Sequence, residues 1–503
     1  MCEGPATTQM SSNSSKASTG PRTKNQEPRT AHQAATSSNP TATTPPKHAM
    51  ESTLSSVDTA WYRLDSPNDP ADIIGVLIFD GQVDYDRLRA TIETRFLHFE
   101  RFRQRIDDSG IGRPQWRDDP EFSLDDHLQR IELPEPADRA ALQDKIGELM
   151  NSPLDKRKPL WRIYLVDNYE EGSALIAQLH HCMGDGFALA HVLLRLADHD
   201  PDAPWPSHSD IEEVRAGEDV HEHRWFRDVV LDKVEDLAKH PSHATDMAKK
   251  VQKTASALGH LVMMPFDPPT MLKREPTGQR RVSWSDGISL QRVKDIAHGF
   301  GGTVNDVLMA ALTGAYRRYL IERGDNVDDR DIRALVPVNL RPVRRVEDMP
   351  DELGNHFGLV FLTLPVTEAT AAGRLRRVKE CMDELKKSPE AFILFEVFNL
   401  AGHTPEMVEH LVADTFGKKA STVVTNVPGP REPLYLGGRE VTDLMFWAPH
   451  PARLGSNASI ISYNGVVRVG VRGDENVLPD PEKVVGYFDE EFDGLENMSD
   501  RKP

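Results

Sequence analysis

Two adjacent histidines stand at the centre of the stretch Gln178-Leu179-His180-His181-Cys182-Met183-Gly184-Asp185-Gly186. An imidazole with a resting pKa near ~6.5 can take a proton from an alcohol or amine while that group attacks a carbonyl. Such general-base help is worth ~10²–10⁴ in rate, or about 3–5 kcal/mol. An apolar run over 174–179 precedes the pair, and a second apolar run of helical period follows it. That is how a strand end delivers a side chain into a cleft. Successive side chains on a strand point to opposite faces, so only one histidine can face a given cavity. The other is free to pack or to support its loop.

Asp185 has two open readings. It can lock its own turn, by pairing with an arginine or accepting backbone N–H bonds at the next helix start, or it can serve a histidine as a triad carboxylate. The first is favoured, because a carboxylate this near in sequence is easily used by its own turn. Gly184 and Gly186 permit a tight turn. Cys182 next to a base suggests a thiol nucleophile, yet adjacency to His181 denies it triad geometry, and a small buried residue fits better. A metal site is not expected, since neighbouring strand histidines seldom reach one ion and no third ligand has a familiar spacing. No permanently bound cofactor is expected either.

The elements that must hold this motif can be read from periodicity. Strands are predicted over 73–79, 101–106, 112–116, 160–166 and 173–179, and helices over 85–99, 138–150 and 187–197. Residues 200–228, rich in Pro, His and acids, read as an exposed linker. Residues 229–261 read as helical, with a break at Pro241, ending in the apolar cluster Val262-Met263-Met264-Pro265-Phe266. A second unit begins near Arg281. It has strands over 282–285, 334–338, 358–366, 422–425, 441–447, 458–463 and 466–471. Its helices lie over 290–298, 304–320, 371–385 and 481–491, with an apolar segment at 392–400. Each half mixes strands and helices, as a pair of two-layer α/β units would.

The chain has 503 residues, enough for at least two packed units, since single cores stop growing near ~250–300 residues. The formal charge is -19. The first 50 residues hold five Lys/Arg against two Glu, so the rest carries about -22, poorly suited to binding nucleic acid. Those 50 residues lack Val, Leu, Ile, Phe, Trp and Tyr, and are expected to be a disordered tail. Cys2, Cys182 and Cys381 suggest no disulfide framework, which fits a reducing cytoplasmic setting. Met1 is followed by polar residues and prolines, with no secretory signal visible. No run approaches the ~18 apolar residues of a membrane span, so any contact with a membrane face or lipid inclusion would be peripheral.

The stretch from His180 to Gly186 resembles the H-H-x-x-x-D-G signature of the superfamily of CoA-dependent acyltransferases and peptide-synthetase condensation domains. Further stretches occur in the order found in bacterial wax ester synthase/diacylglycerol acyltransferases. They are Pro159-Leu160-Trp161, Gly302 to Ala310, Val336-Pro337-Val338-Asn339-Leu340-Arg341, Gly354-Asn355-His356-Phe357-Gly358 and Thr425-Asn426-Val427-Pro428-Gly429-Pro430. The resemblance covers essentially residues 54–495. One stretch departs from it: Asp65-Ser66-Pro67-Asn68-Asp69-Pro70-Ala71-Asp72 stands where many members have a Pro-Met-His-type segment, which bears on substrate choice.

What the resemblance implies is an α/β layered fold of two chloramphenicol-acetyltransferase-like subdomains with mixed sheets and a central channel. The expected division is a tail over 1–52, an N-terminal subdomain over 53–200, linker and crossover helices over 201–280, a C-terminal subdomain over 281–497, and a polar end over 498–503. The implied reaction is acyl transfer from a long-chain fatty acyl-CoA to a fatty alcohol or to diacylglycerol, without an acyl-enzyme. His181 is implied as general base, with His180, Asp185 and Asn305 shaping the site. Gly186, Asp306, Gly354 and Asn355 are implied as supporting residues. Asn305 could donate a hydrogen bond near the acyl group while Asp306 meets the N–H groups of its helix, although plain capping is an alternative for both. Two other functions stay open: acyl transfer or condensation on a carrier-bound or polyketide substrate, and an inactive acyltransferase fold that binds lipid or a partner.

Overall fold

The computed structural model describes residues 52–66, 69–110, 112–206, 263–343, 346–349, 353–403, 406–449 and 454–499. The tail expected over 1–52, apart from Ser52 in the short strand Ser52–Thr53, most of the 201–280 segment including its helical reading, and the end beyond 499 lie outside the described residues. The described residues all fall in one compact unit.

Two mixed sheets organise the fold. The N-terminal sheet runs, edge to edge, Tyr435–Leu436, Arg439–Trp447, Asp72–Phe79, Gly172–His180, Trp161–Tyr169 and Leu128–Ile131. All its pairs are antiparallel except the last. The C-terminal sheet runs Phe357–Leu364, Ile332–Asn339, Thr422–Pro428, Ser456–Tyr463, Val466–Asp474 and Arg280–Trp284, with Ile288–Ser289 pairing beside it. Its three central strands are parallel. Mixed sheets with helices packed on them give the layered architecture that periodicity and resemblance implied.

The strand Arg439–Trp447 crosses over. It follows five strands of the C-terminal sheet yet pairs antiparallel with Asp72–Phe79 of the other, Phe446 opposite Gly75 and Trp447 opposite Ile74. Its end carries Trp447, fully buried, edge-on to Trp284 of the C-terminal sheet with centroids 5.7 Å apart. The two halves therefore share a strand as well as an interface.

Several elements differ from expectation. The helix predicted over 85–99 is α-helical only over Tyr85–Thr91 and then widens into a π-helical turn over Ile92–Phe96. The strand predicted over 101–106 starts later, at Gln104–Asp107, because Glu100–Arg103 forms a tight 3₁₀ turn first, and the strand predicted over 112–116 lies at Gln115–Asp118. The apolar segment at 392–400 is a helix, Glu390–Ala401, followed by a second at Glu406–Gly417. A nine-residue helix, Ser56–Leu64, precedes the first sheet strand. Ser55 caps it by accepting the Asp58 N–H at 3.0 Å.

The long helix Val304–Glu322 forms the spine of the C-terminal core. Thr303 and Asp306 make a reciprocal capping box: the Thr303 N–H donates to Asp306 Oδ2 at 2.7 Å, and the Asp306 N–H to Thr303 Oγ1 at 3.3 Å. Asp306 is thus a buried cap, the structural role given to it above. On the other face of the sheet, Gly358 lies so close to Glu390–Ala401 that a Cβ would overlap the Ala391 carbonyl oxygen. Gly358→Ala is expected to cost about 3 kcal/mol or more by forcing strand and helix apart, read as a lowered urea midpoint with an unchanged slope.

Candidate active site

The motif strand Gly172–His180 ends at the first histidine, and His181–Met183 forms a short 3₁₀ turn. The His180 N–H donates to the Leu160 carbonyl at 3.0 Å, and the His181 N–H to the Ala71 carbonyl at 2.7 Å. Both carbonyls come from flanking chain, so the strand end is clamped from two sides. The break from strand to turn sends the two rings into different surroundings.

His180 packs inward at 1% exposure. Its Nδ1 accepts the Cys182 N–H at 3.1 Å, which closes the turn, and its Nε2 stands 3.8 Å from Asp65 Oδ1. His181 lies between aromatic rings: Trp61 stacks on it at 4.1 Å and 16°, and Phe357 sits tilted at 5.6 Å. Burial pushes both imidazoles down to about 4, although the nearby Asp185 carboxylate pulls His181 part of the way back. Both rings are therefore neutral at neutral pH. His181 Nδ1 is buried and meets no hydrogen-bond partner of good geometry among the described residues.

Asp185 caps the motif helix Gly186–Leu196, accepting the Phe187 N–H at 3.1 Å and the Ala188 N–H at 3.0 Å on one oxygen. The other oxygen takes Arg341 Nη1 at 2.6 Å and the His356 N–H at 2.9 Å. Of the two readings of Asp185, the structure has the lock, with the arginine drawn from the opposite half. Arg341 Nη2 also donates to the Gly354 carbonyl at 2.8 Å. Gly354 has φ +135°, a conformation that side chains rarely adopt. Asn355 is buried, and its amide donates to the His181 carbonyl and to Asp58 Oδ1, each at 2.8 Å. Gly186 leaves little room for a side chain, since a Cβ would come within 3.0 Å of the Val427 side chain, which would have to give by a few tenths of an ångström. Gly184 is extended, with φ 169°, so it serves by leaving space beside Ala188 rather than by a left-handed turn. Cys182 is fully buried and burial raises its thiol pKa well above the usual value, which suits packing and not nucleophilic attack.

Asn305 is placed differently from the rest. It is exposed, and its Oδ1 accepts the Asn426 amide at 2.6 Å. Asn426 lines the cleft that His181 faces, so Asn305 reaches that cleft through a neighbour. Trp61 and Asp58 were not foreseen as site residues. Both lie on the short helix Ser56–Leu64, whose one sequence signal is the capping spacing Ser55-x-x-Asp58. Arg341 was visible as part of a motif but not as the partner of Asp185, 156 residues away.

The cleft in front of His181 holds about 830 Å³ between the two halves. Leu335, Pro337 and Thr425 of the C-terminal sheet face His181 and Asp185 across it, and Phe446 of the crossover strand forms one side. Two apolar hollows adjoin it. One, of about 1030 Å³, lies between the N-terminal sheet and the motif helix and shares Ile73, Gly186, Val427 and Phe446 with the cleft. The other is a small recess that shares Leu335 and Leu359 and lies against Leu394, Phe398 and Phe416 of the two helices on the C-terminal half. An imidazole thus lines a cleft that adjoins a large apolar hollow.

Residues 54–308 match the sequence model of the wax ester synthase/diacylglycerol acyltransferase catalytic domain, and residues 353–496 that of the WS/DGAT C-terminal domain. The chain belongs to this family. It is an O-acyltransferase. Curated relatives include two Mycobacterium tuberculosis H37Rv proteins named as probable diacylglycerol O-acyltransferases. One, tgs1, is 27% identical over 83% of this chain and 89% of its own. The other, tgs2, is 28% identical over 77% and 84%. Among solved structures, the wax ester synthase/diacylglycerol acyltransferase of Marinobacter aquaeolei VT8 superposes with a TM-score of 0.65 at 22% identity, covering 89% of this chain and 100% of that one. The first condensation domain of the CDA synthetase gives 0.59 at 18% identity, covering 90% and 97%. These likenesses establish the fold as that of the acyltransferase and condensation-domain group.

Arg341→Met in the acyltransferase removes the cation from a buried pair. The expected result is a loss of about 3–5 kcal/mol in unfolding free energy, because Asp185 stays buried with its charge uncompensated. Thermal and denaturant unfolding measure it, and Arg341→Lys should recover only part, since an ammonium cannot serve Asp185 and Gly354 as a planar fork.

Proposed function

We propose that the enzyme transfers a long-chain acyl group from acyl-CoA to the hydroxyl of a fatty alcohol or of diacylglycerol, with His181 as general base. The observation that supports this reading is the large apolar hollow adjoining the cleft that His181 lines. Ester formation between two alkyl-bearing reactants needs apolar space for a long chain and a proton acceptor beside it. A carrier-bound peptidyl substrate would call for polar lining instead, and the larger hollow has none.

In the proposed step the acceptor oxygen attacks the thioester carbonyl as His181 Nε2 takes its proton. The tetrahedral intermediate then expels the CoA thiolate, and the imidazolium returns the proton to sulfur. Trp61 and the Asn355 link to the His181 carbonyl hold the ring in place through this cycle. Asp185 sits close enough to favour the imidazolium that forms transiently. Asn305 contributes by fixing the Asn426 amide at the cleft wall. His180 holds the turn through Cys182. Acyl-CoA is a substrate here, and no resident cofactor is invoked. No helix among the described residues is long and apolar enough to cross a membrane, and contact with a membrane face or lipid inclusion is proposed as peripheral.

The test combines purified protein with palmitoyl-CoA and either hexadecanol or dioleoylglycerol, following free thiol and ester together. Thiol release without ester, or neither with any acyl length, overturns the proposal. His181→Ala should lower kcat/KM by ~10²–10⁴ in a protein that still folds cooperatively. The pH profile supplies a further check. A base with its pKa held near 4 loses activity as pH falls through about 4, whereas an ordinary imidazole would lose it near ~6.5. An acid limb of kcat/KM at the ordinary position would contradict the assignment of His181.

A further inference from the structure

The larger apolar hollow, the arm that adjoins the cleft, exists because of two small residues in the sheet beneath it. Across three neighbouring strands the register sets Phe446, Gly75 and Ala177 side by side, and all three line the cavity. Four residues along the chain from Ala177 to His181, and two either way from Gly75, the floor is built from larger side chains: Ile73 with Leu179 toward the histidine, Leu77 with Leu175 away from it. Gly75 and Ala177 are half-buried, as are Ile78 and Leu179 on the same two strands, and both Gly75 and Ala177 line the hollow. A Cβ built on Gly75 meets nothing within 4 Å. Glycine is entropically costly in a strand interior, and neither a bulge in this pair nor a positive φ calls for it at this position. Its effect is to keep the middle of the arm open.

The distances make this a length limit. Ala177 lies three residues and Leu175 five residues before His180 on the motif strand, which at ~3.4 Å per residue places them ~10 Å and ~17 Å from the histidine end. A side chain at Gly75 would close the arm at the nearer level, leaving space for a medium alkyl chain and excluding a long one.

We propose that Gly75, with Ala177 beside it, is a specificity-determining position that admits the far end of one long linear alkyl chain into the sheet-lined arm. The proposal rests on the acyl-transfer reading of the His181 cleft. The chain is the saturated tail of a reactant, supplied by either the acyl donor or the alcohol, and the two arms of the experiment separate these sources.

The experiment uses the full chain and its Gly75→Leu variant. One series runs octanoyl-, dodecanoyl- and palmitoyl-CoA against fixed hexadecanol. The other runs octanol, dodecanol and hexadecanol against fixed palmitoyl-CoA. In one series the long-over-short ratio of kcat/KM should fall about tenfold or more, with the other series unmoved, and the series that moves identifies the occupant. Ratios unchanged in both series, equal loss at every length, or equal shifts in both series overturn the proposal. Where Gly75→Leu does not fold, Gly75→Val carries the same test, since the open space around the Cβ accepts a branched side chain suited to a strand. Calorimetric binding of octanoic and palmitic acids and of the matching alcohols to both proteins gives a readout independent of turnover. If no acyl transfer is seen in either protein but the variant loses only the long ligand, the reaction assignment falls and the length limit stands. If transfer proceeds and long-chain binding is unaltered, the length limit falls and the reaction stands.

Discussion

The site depends on a carboxylate buried with all its charge accounted for. Asp185 meets two N–H groups at the start of its own helix, one N–H from His356, and the guanidinium of Arg341. Burying an ion is costly unless charge and hydrogen bonds are both satisfied. Asp185 satisfies them only when the motif turn, the Gly354–His356 loop and the end of the strand Ile332–Asn339 are all in place. That requirement joins the two halves at one point beside the histidine. The Asn355 amide, bonded both to Asp58 and to the His181 carbonyl, adds a second tie from the same loop. Positioning of the imidazole is thereby a consequence of assembling the whole unit.

The same burial explains why the histidine is suited to taking a proton. Packed against Trp61 and Phe357 and shielded from water, the His181 ring is held neutral over a wide pH range. A neutral base is ready without first losing a proton. The neighbouring carboxylate, already saturated with donors, favours the positive form by its field and cannot compete for the proton as a hydrogen-bond partner. The cleft that His181 lines adjoins the apolar hollow proposed above for an alkyl chain, sharing Ile73, Gly186, Val427 and Phe446 with it.

Much of the scaffold could be read from periodicity. The motif strand, its helix, the capped helix Val304–Glu322 and most strands of both sheets carry long, regular apolar patterns that survive any tertiary context. The failures have local causes. The helix Ser56–Leu64 is short and mixes Val, Thr, Trp and Tyr with polar residues, so packing of its buried face has to decide what propensity does not. The strand Gln104–Asp107 begins late because a 3₁₀ turn precedes it, and a turn of this kind leaves no periodic signal. Asn305, implied as a neighbour of the reacting group, stands exposed at the start of its helix and accepts the Asn426 amide, a contact between residues 121 apart that no local spacing shows. Its neighbour Asp306, tied to Thr303 by a spacing of three, was legible because capping is a local interaction.

The sequence by itself determined the chemistry on offer: a histidine pair at a strand end, a carboxylate poised at a helix start, and a mixed α/β chain in two halves. These follow from residue types and short spacings, where the interacting atoms are a few residues apart. Only the tertiary structure decided which histidine faces the cleft, since the strand stops between them. It also chose Arg341 as the partner of Asp185, Trp61 as the plate behind His181, and the N-terminal sheet as the destination of the strand Arg439–Trp447. Those choices join groups up to several hundred residues apart, and what selects them is the need to bury charge and apolar surface together, which no short window of the chain contains.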